Sequence, residues 1–209
     1  MKISYAITVC NEFIEIQRLI NFLLKNKRPE DEIIVLYDTN NGTADVETFL
    51  DHYTKDNFNW FKLYKSSFNG HFAGWKNLLS SYCTGDYIFQ IDADEILSLE
   101  GCQLIPQIIE SNPQVEVYRV PRINTVEGLT QEHIQKWGWQ INEKGWINFP
   151  DSQWRIYKNN SKIKWKNKVH EVLEGYDRYS ELPYDEELCL IHNKTIERQE
   201  NQNEYYNTL

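Results

Sequence analysis

The sequence predicts an α/β protein, with a mostly parallel central sheet flanked by helices and a smaller β-rich C-terminal lobe. Three observations predict it. Over residues 1–112, short apolar runs alternate with segments of helical spacing, four strand–helix units in all. Three of those runs end in polar loops: Asn11-Glu12, Asp38 to Asn41, and Asp92 to Glu95. Beyond residue 112 the texture turns to short strand-like segments, with no internal repeat and no Pro/Gly/Ser-rich linker. The 209 residues therefore read as a single domain, with 1–112 and 113–209 as its two halves.

Ile3 to Val9 is an apolar run of buried-strand length. Ile16, Leu19, Ile20, Leu23 and Leu24 recur at helical spacing, so 14–24 reads as a helix. Lys25 to Arg28 then place cations near its C-terminus, before Pro29. Glu32 to Tyr37 is a second buried strand. Asn41-Gly42 is a hairpin-type dipeptide, but no strand alternation follows it. It is read as a turn into a helix that runs through Leu50. Trp60 to Lys65 is a third strand, and Phe72 to Cys83 a helix with Gly85 as its stop. Tyr87 to Ile91 is a fourth strand, closed by Asp92-Ala93-Asp94-Glu95. Leu97 to Glu110 is a helix interrupted only by Pro106. In the second half, Val115 to Val120, Trp154 to Tyr157, Ile163 to Val169 and Glu187 to Ile191 read as strands. Thr195 to Tyr206 reads as a polar terminal helix, and Arg122 to Phe149 shows no clean period.

Composition narrows the function classes. With 31 Asp+Glu against 22 Lys+Arg the formal charge is −9, which argues against a surface that binds polyanions indiscriminately. Four scattered cysteines with no CxxC pair exclude a zinc ribbon or disulfide scaffold, and are expected to be buried free thiols in a reducing compartment. No run of 18 apolar residues occurs, and Met1-Lys2 leads straight into a strand pattern. The expectation is no signal peptide, no transmembrane segment and a cytoplasmic location, free or peripheral at the inner membrane face.

In a parallel sheet of this kind ligands sit beyond the carboxyl ends of the strands, where all three polar loops lie. Asp92, Asp94 and Glu95 put three carboxylates within four residues. Carboxylates that close raise one another's pKa unless a cation neutralises them. Mg²⁺ or Mn²⁺ binds through one or two carboxylates plus substrate phosphates. A solvated acidic turn is the competing reading.

Several segments together carry a resemblance. Ser4 to Glu12 resembles a first strand with an Asn-Glu end. Asp31 to Asp38 followed by Gly42-Thr43-Ala44-Asp45 resembles a second strand with its Asp and polar loop. Asn69 to Asn77 is similar to a G-x-x-x-A-R-N helix, with Lys76 where Arg is usual. Gly85 to Glu95 is similar to G-D-Y-I-x-x-x-D-A-D-E almost letter for letter. Arg155 to Asn159, Val169-His170-Glu171 and Leu190-Ile191-His192 resemble R-L-F-R-N, V-H-E and I-x-H elements. In this order they resemble glycosyltransferase family 2, enzymes of the Rossmann-like GT-A fold, over about residues 3 to 195. Val9 replaces the usual Pro, and Asp38 to Asn41 the usual Asp-Gly-Ser loop.

The resemblance implies a metal-dependent, inverting transfer from a nucleoside diphosphate-sugar, most often a UDP-sugar, to a glycan, lipid-linked or other hydroxyl acceptor. It implies that Thr8, Asn11 and Glu12 line base and ribose, that Asp38 bonds the base, and that Lys76 sits near the diphosphate or base. Asp92 then meets the ribose or a metal-bound water. Asp94 is a ligand to Mn²⁺ or Mg²⁺, and His192 a second ligand, with His170 competing for that place. Such a transfer also needs a base for the acceptor hydroxyl. Glu171 is the first choice and Asp151 the second.

From Gln153 to His170 there are six basic residues and no acid. Lys162, Lys164, Lys166 and Lys168 alternate with Ile163, Trp165, Asn167 and Val169, so on a strand four ammonium groups share one face. That face reads either as an edge that discourages aggregation or as a dock for an anionic acceptor, glycan or nucleic acid, with Trp154, Tyr157 and Trp165 as stacking partners. Two other classes stay open: a non-catalytic carbohydrate- or nucleic-acid-binding module, and transfer to a nucleic-acid base. Nucleotidyl transfer predicts a Gly-rich basic loop after the first strand, and Val9-Cys10-Asn11-Glu12 is not one.

Overall fold

A computed structural model describes residues 1–55 and 59–206, with side chains up to Glu204. The first half comprises β1 (Ile3–Val9), α1 (Phe13–Asn26), β2 (Glu32–Asp38), α2 (Ala44–Thr54), β3 (Phe61–Ser66), α3 (Phe72–Tyr82), β4 (Tyr87–Asp92), β5 (Glu95–Ile96) and α4 (Leu99–Ser111). The second comprises β6 (Val117–Val120), β7 (Arg122–Glu127), α5 (Gln131–Trp137), β8 (Gln153–Lys158), β9 (Lys164–Lys166), β10 (Val172–Glu174) and β11 (Tyr179–Glu181). A 3-10 turn (Glu186–Leu188), β12 (Leu190–Thr195) and α6 (Ile196–Tyr206) complete it.

A seven-stranded sheet runs in the order β11-β6-β8-β4-β1-β2-β3. β3, β2, β1 and β4 are parallel, and β8 lies antiparallel between β4 and β6. Alternate residues of a strand face opposite sides, and β1 and β2, covered on both, are buried along nearly their whole length. Ile3, Tyr5 and Ile7 with Ile33 and Val35 pack under α1, α2 and α4. Ala6, Ile34, Leu36 and Ile88 pack under α3 and the β9–β10 hairpin. Both faces are thus covered, as the alternation of strands and helices predicted.

A small second sheet, β5-β12-β7, decides the site. Its register sets His192 opposite Glu95 on one side and beside Asn124 on the other. Residues from three distant parts of the sequence are therefore fixed side by side.

Several element boundaries differ from expectation. β7 and α5 lie inside the stretch that shows no period. α5 buries no residue and is held by a Thr130–His133 capping box, so it leaves no apolar pattern to read. The strand expected over 163–169 shortens to Lys164–Lys166, because Asn167 adopts a φ of 76°. The last strand begins at Leu190 rather than Glu187, after the 3-10 turn. α4 runs unbroken through Pro106. Helix α3 ends at Tyr82 with Cys83 as its C-cap, and Gly85 serves a close approach instead: a Cβ there would lie 2.7 Å from the Ser4 nitrogen. Cys83, Cys102 and Cys189 are buried free thiols, whereas Cys10 is half-buried. Among the described residues no helix is long and apolar enough to cross a membrane.

Candidate functional site

A cleft of about 880 Å³ opens at the carboxyl ends of the parallel strands. Every site residue nominated from the sequence lines it, from Thr8 on β1 to His192 on β12. The four lysines of the basic stripe do not line it.

The acidic loop after β4 divides its labour. Glu95 does not join a carboxylate cluster in solvent. It is fully buried and clamped by Arg155 (Nε–Oε2 3.1 Å, Nη2–Oε1 2.7 Å) and Arg122 (Nη1–Oε1 3.0 Å). It also accepts the Asp92 N–H at 3.1 Å, which shapes the loop. Asp92 and Asp94 are left facing the cleft. Asp92 Oδ2 accepts from Arg155 Nη2 at 2.7 Å. Burial pushes its carboxyl up, but Arg155 and Lys76 outweigh that and hold it below the usual carboxylate range. Burial also pushes Asp94 up, yet the hydrogen bond and charge of His192, with Lys194 and Arg198, hold it well below that range.

His192 Nε2 lies 3.3 Å from Asp94 Oδ2. Its Nδ1 lies 2.7 Å from Asn124 Oδ1. His170 instead sits on the exposed β9–β10 turn, at a φ of 55°. Among the described residues no group of three His, Cys, Asp or Glu is gathered at ligand distance. The protein donors that meet are two, a carboxylate oxygen and an imidazole nitrogen. That set fits Mn²⁺ or Mg²⁺, whose other positions phosphate oxygens and water fill. The charge agrees: six acids and five Lys/Arg line the cleft, so an anion entering it finds no spare positive charge among these side chains.

On the opposite rim, Asp38 is buried and organises its own loop. Its Oδ1 accepts the N–H groups of Asn40 (2.9 Å) and Phe68 (3.0 Å), and its Oδ2 accepts from Asn41 Nδ2 (2.8 Å). Gly42 lets the loop fold back, since a Cβ there would fall 2.3 Å from the Asp38 carbonyl oxygen. Glu12 Oε2 accepts from the Cys10 and Asn11 N–H groups, and its Oε1 pairs with Arg198 at 3.1 Å.

The two base candidates differ in surroundings. Glu171 Oε1 lies 2.9 Å from Lys76 Nζ, and that ammonium sits 4.6 Å above the Trp165 ring. Asp151 is saturated: Oδ2 accepts Arg122 Nε (2.9 Å), Arg122 Nη2 (2.6 Å) and Asn124 Nδ2 (2.8 Å), and Oδ1 accepts Gln153 Nε2 (2.6 Å).

The basic stretch is also divided. Lys162, Lys164, Lys166 and Lys168 are exposed while Ile163 and Trp165 are buried, as the alternation predicted. Arg155 is buried in the carboxylate clamp, and Lys158 donates to the Pro113 carbonyl. Tyr157 is a core residue whose hydroxyl bonds Ser80 Oγ (2.7 Å) and Trp165 Nε1 (3.0 Å), so it is no stacking platform. Trp154 does line the cleft, with Arg119 5.4 Å over its ring. The sequence reading missed Arg122, Asn124, Lys194 and Arg198. Only Lys194 and Arg198 carried a signal, lying just beyond His192 in a polar strand and helix.

Solved structures share this architecture. Staphylococcus aureus TarS 1-349 in complex with UDP-GlcNAc superposes at a TM-score of 0.65 with 17% identity, over 93% of this chain and 59% of that one. A second, longer S. aureus TarS structure matches at 0.62 with 16% identity, over 92% of this chain and 37% of that one. Mannosyltransferase PcManGT from Pyrobaculum calidifontis, in complex with GDP-Man and Mn²⁺, matches at 0.50 with 14% identity, over 57% of this chain and 35% of that one. These likenesses establish the fold, and this chain spans under two thirds of the length of each. No curated protein matches the sequence significantly. The model of Glycosyl transferase family 2 matches residues 4–180, most of both halves, and the chain belongs to that family.

Proposed function

We propose that this chain transfers a sugar, with inversion, from a nucleoside diphosphate-sugar to a hydroxyl acceptor, using a divalent cation. The observation that carries the reading is the meeting of Asp94 and His192, 98 residues apart in sequence, at the carboxyl edge of the parallel sheet. A binding module has no need of that convergence. The TarS structures holding UDP-GlcNAc and UDP support a UDP-sugar as donor.

In this reading Asp94 and His192 hold Mn²⁺ or Mg²⁺, with Asp92 beside them for the ribose or a bound water. The cation supplies positive charge for the departing diphosphate. Thr8, Asn11, Glu12 and Asp38 receive base and ribose, and Lys76 lies toward the diphosphate. Glu171 is the base. As the acceptor oxygen bonds the anomeric carbon and the bond to the diphosphate oxygen breaks, the acceptor's proton passes to Glu171. Lys76 orients that carboxylate. The exposed lysines of the β9–β10 hairpin flank the turn that carries Glu171, which favours an anionic glycan or lipid-linked acceptor. A nucleotide-sugar donor and unpaired thiols fit a cytoplasmic site of action.

A panel of nucleotide-sugars, offered with Mn²⁺ and with chelator, tests the reading. The expected result is binding and slow hydrolysis of a UDP-sugar with Mn²⁺ alone. Glycan or DNA binding with no nucleotide-sugar bound or turned over would overturn it.

A further inference from the structure

The Asn124 side chain can be oriented only one way. Its Nδ2 lies 2.8 Å from Asp151 Oδ2. That carboxylate is pushed up by burial but held below its usual range by Arg122 and its hydrogen bonds, so it is ionised and can only accept. The amide nitrogen therefore faces Asp151, and Oδ1 faces His192 Nδ1 at 2.7 Å. An amide oxygen also only accepts. A charged His192 ring donates from both nitrogens, Nε2 to Asp94 Oδ2 at 3.3 Å, whereas a neutral ring keeps its proton on Nδ1 and turns the Nε2 lone pair to that oxygen. A lone pair facing a carboxylate repels it unless a cation lies between them. The parallel pairing of β12 with β7 builds the arrangement, because its register places His192 beside Asn124.

We propose that Asp151 is a positioning residue: through Asn124 it locks His192 in the Nδ1–H tautomer and so readies Nε2 as a cation ligand. The inference deepens the reading of Asp94 and His192 as a cation site and rests on it. It also gives Asp151 a task other than proton removal, since its four hydrogen bonds leave a substrate hydroxyl little room. Arg122, which donates twice to Asp151 and once to Glu95, ties this relay to the clamp under the acidic loop. Outer partners of this kind orient a ligating histidine and raise its basicity.

Nitrogen-15 spectra of the histidine rings, taken where His192 is neutral, and titration with Mn²⁺ alone test it. Wild type is expected to show the Nδ1–H pattern at His192. Asn124→Leu and Asp151→Leu are each expected to move the ring toward the Nε2–H tautomer and to weaken Mn²⁺ roughly 10- to 100-fold. Asp151→Leu keeps the test alive if Asn124→Leu does not fold, and Asp151→Asn, which retains an oxygen acceptor for Asn124 Nδ2 and Arg122, is expected to keep the wild-type tautomer and affinity. Saturating Mn²⁺ is expected to restore most of the turnover of Asp151→Leu. An Nε2–H ring in wild type, or an unchanged tautomer and Mn²⁺ affinity in Asp151→Leu, overturns the inference. Asp151→Asn with wild-type tautomer and affinity but no turnover makes Asp151 the base instead. The spectra and the Mn²⁺ titration need no sugar donor. Tautomer shifts as expected in a protein that turns over no nucleotide-sugar would sink the function and leave the relay standing.

Discussion

The guanidinium of Arg155 closes on the carboxylate of Glu95 in a fork, Nε–Oε2 at 3.1 Å and Nη2–Oε1 at 2.7 Å, with both side chains buried. This pair holds the loop after β4 so that Asp92 and Asp94 face the cleft. Removing one partner leaves the other charge buried and unpaired. Arg155→Met and Glu95→Gln are each expected to lower stability by about 3–5 kcal/mol in urea unfolding. Arg155→Lys, which keeps the charge and loses the fork, is expected to fall between them and wild type. Losses under 1 kcal/mol, by the same order-of-magnitude scale, would mean that the clamp does not hold the loop.

The pairing of Lys76 with Glu171 separates binding from chemistry. Glu171→Gln keeps the shape and loses the proposed base, so kcat is expected to fall roughly 10²–10⁴-fold with donor KM little changed. Lys76→Met is expected to raise donor KM as well as lower kcat. Steady-state kinetics with the donor varied at saturating acceptor distinguishes the two. A Glu171→Gln enzyme of normal kcat would remove Glu171 from the mechanism.

Glu32 gives a pH signature away from the cleft. It is buried and accepts from Lys2 Nζ (2.6 Å), Ser4 Oγ (2.6 Å) and the Thr84 nitrogen (2.7 Å). Burial pushes its carboxyl up, but these bonds bring it down from 4.5 to about 2. A depressed folded-state pKa stabilises above the unfolded value, and that stability is lost as pH falls through the folded one. Wild type is therefore expected to exceed Glu32→Gln by about 2 kcal/mol at neutral pH. The gap should close between pH 4.5 and about 2. Unfolding curves across that range read it, and a gap independent of pH would contradict the assignment.

The exposed lysines make a prediction about the acceptor. Replacing Lys162, Lys164 and Lys166 together by Glu is expected to raise KM for a phosphorylated glycan acceptor and to blunt its salt dependence. Donor KM should not change. Equal kinetics on charged and neutral acceptors, in wild type and variant alike, would make the stripe a solvated edge.

Much of the fold was legible because β1, β2 and β4 are buried on both faces and the helices between them keep strict apolar spacing. Asp92, Asp94 and His192 were legible as letters in a family pattern. Their surroundings were not. Asn124 and His192 meet only through the β7–β12 register, and Arg122 reaches Asp151 and Glu95 from a stretch without period. Long-range pairing of this kind leaves no local spacing to read. Arg155 and Tyr157 were misread for a related reason: alternation along β8 tells which residues share a face, not which face is buried. α5 escaped notice because nothing in it is buried.

The central claim is that Asp94 and His192 form a cation-dependent diphosphate site. Thermal unfolding with UDP and Mn²⁺, separately and together, in wild type, Asp94→Asn and His192→Ala, tests it most directly. The account predicts that UDP at one hundred times its dissociation constant stabilises wild type by about 2.7 kcal/mol, only when Mn²⁺ is present, and stabilises neither variant. UDP that stabilises all three proteins equally in the presence of chelator would contradict it.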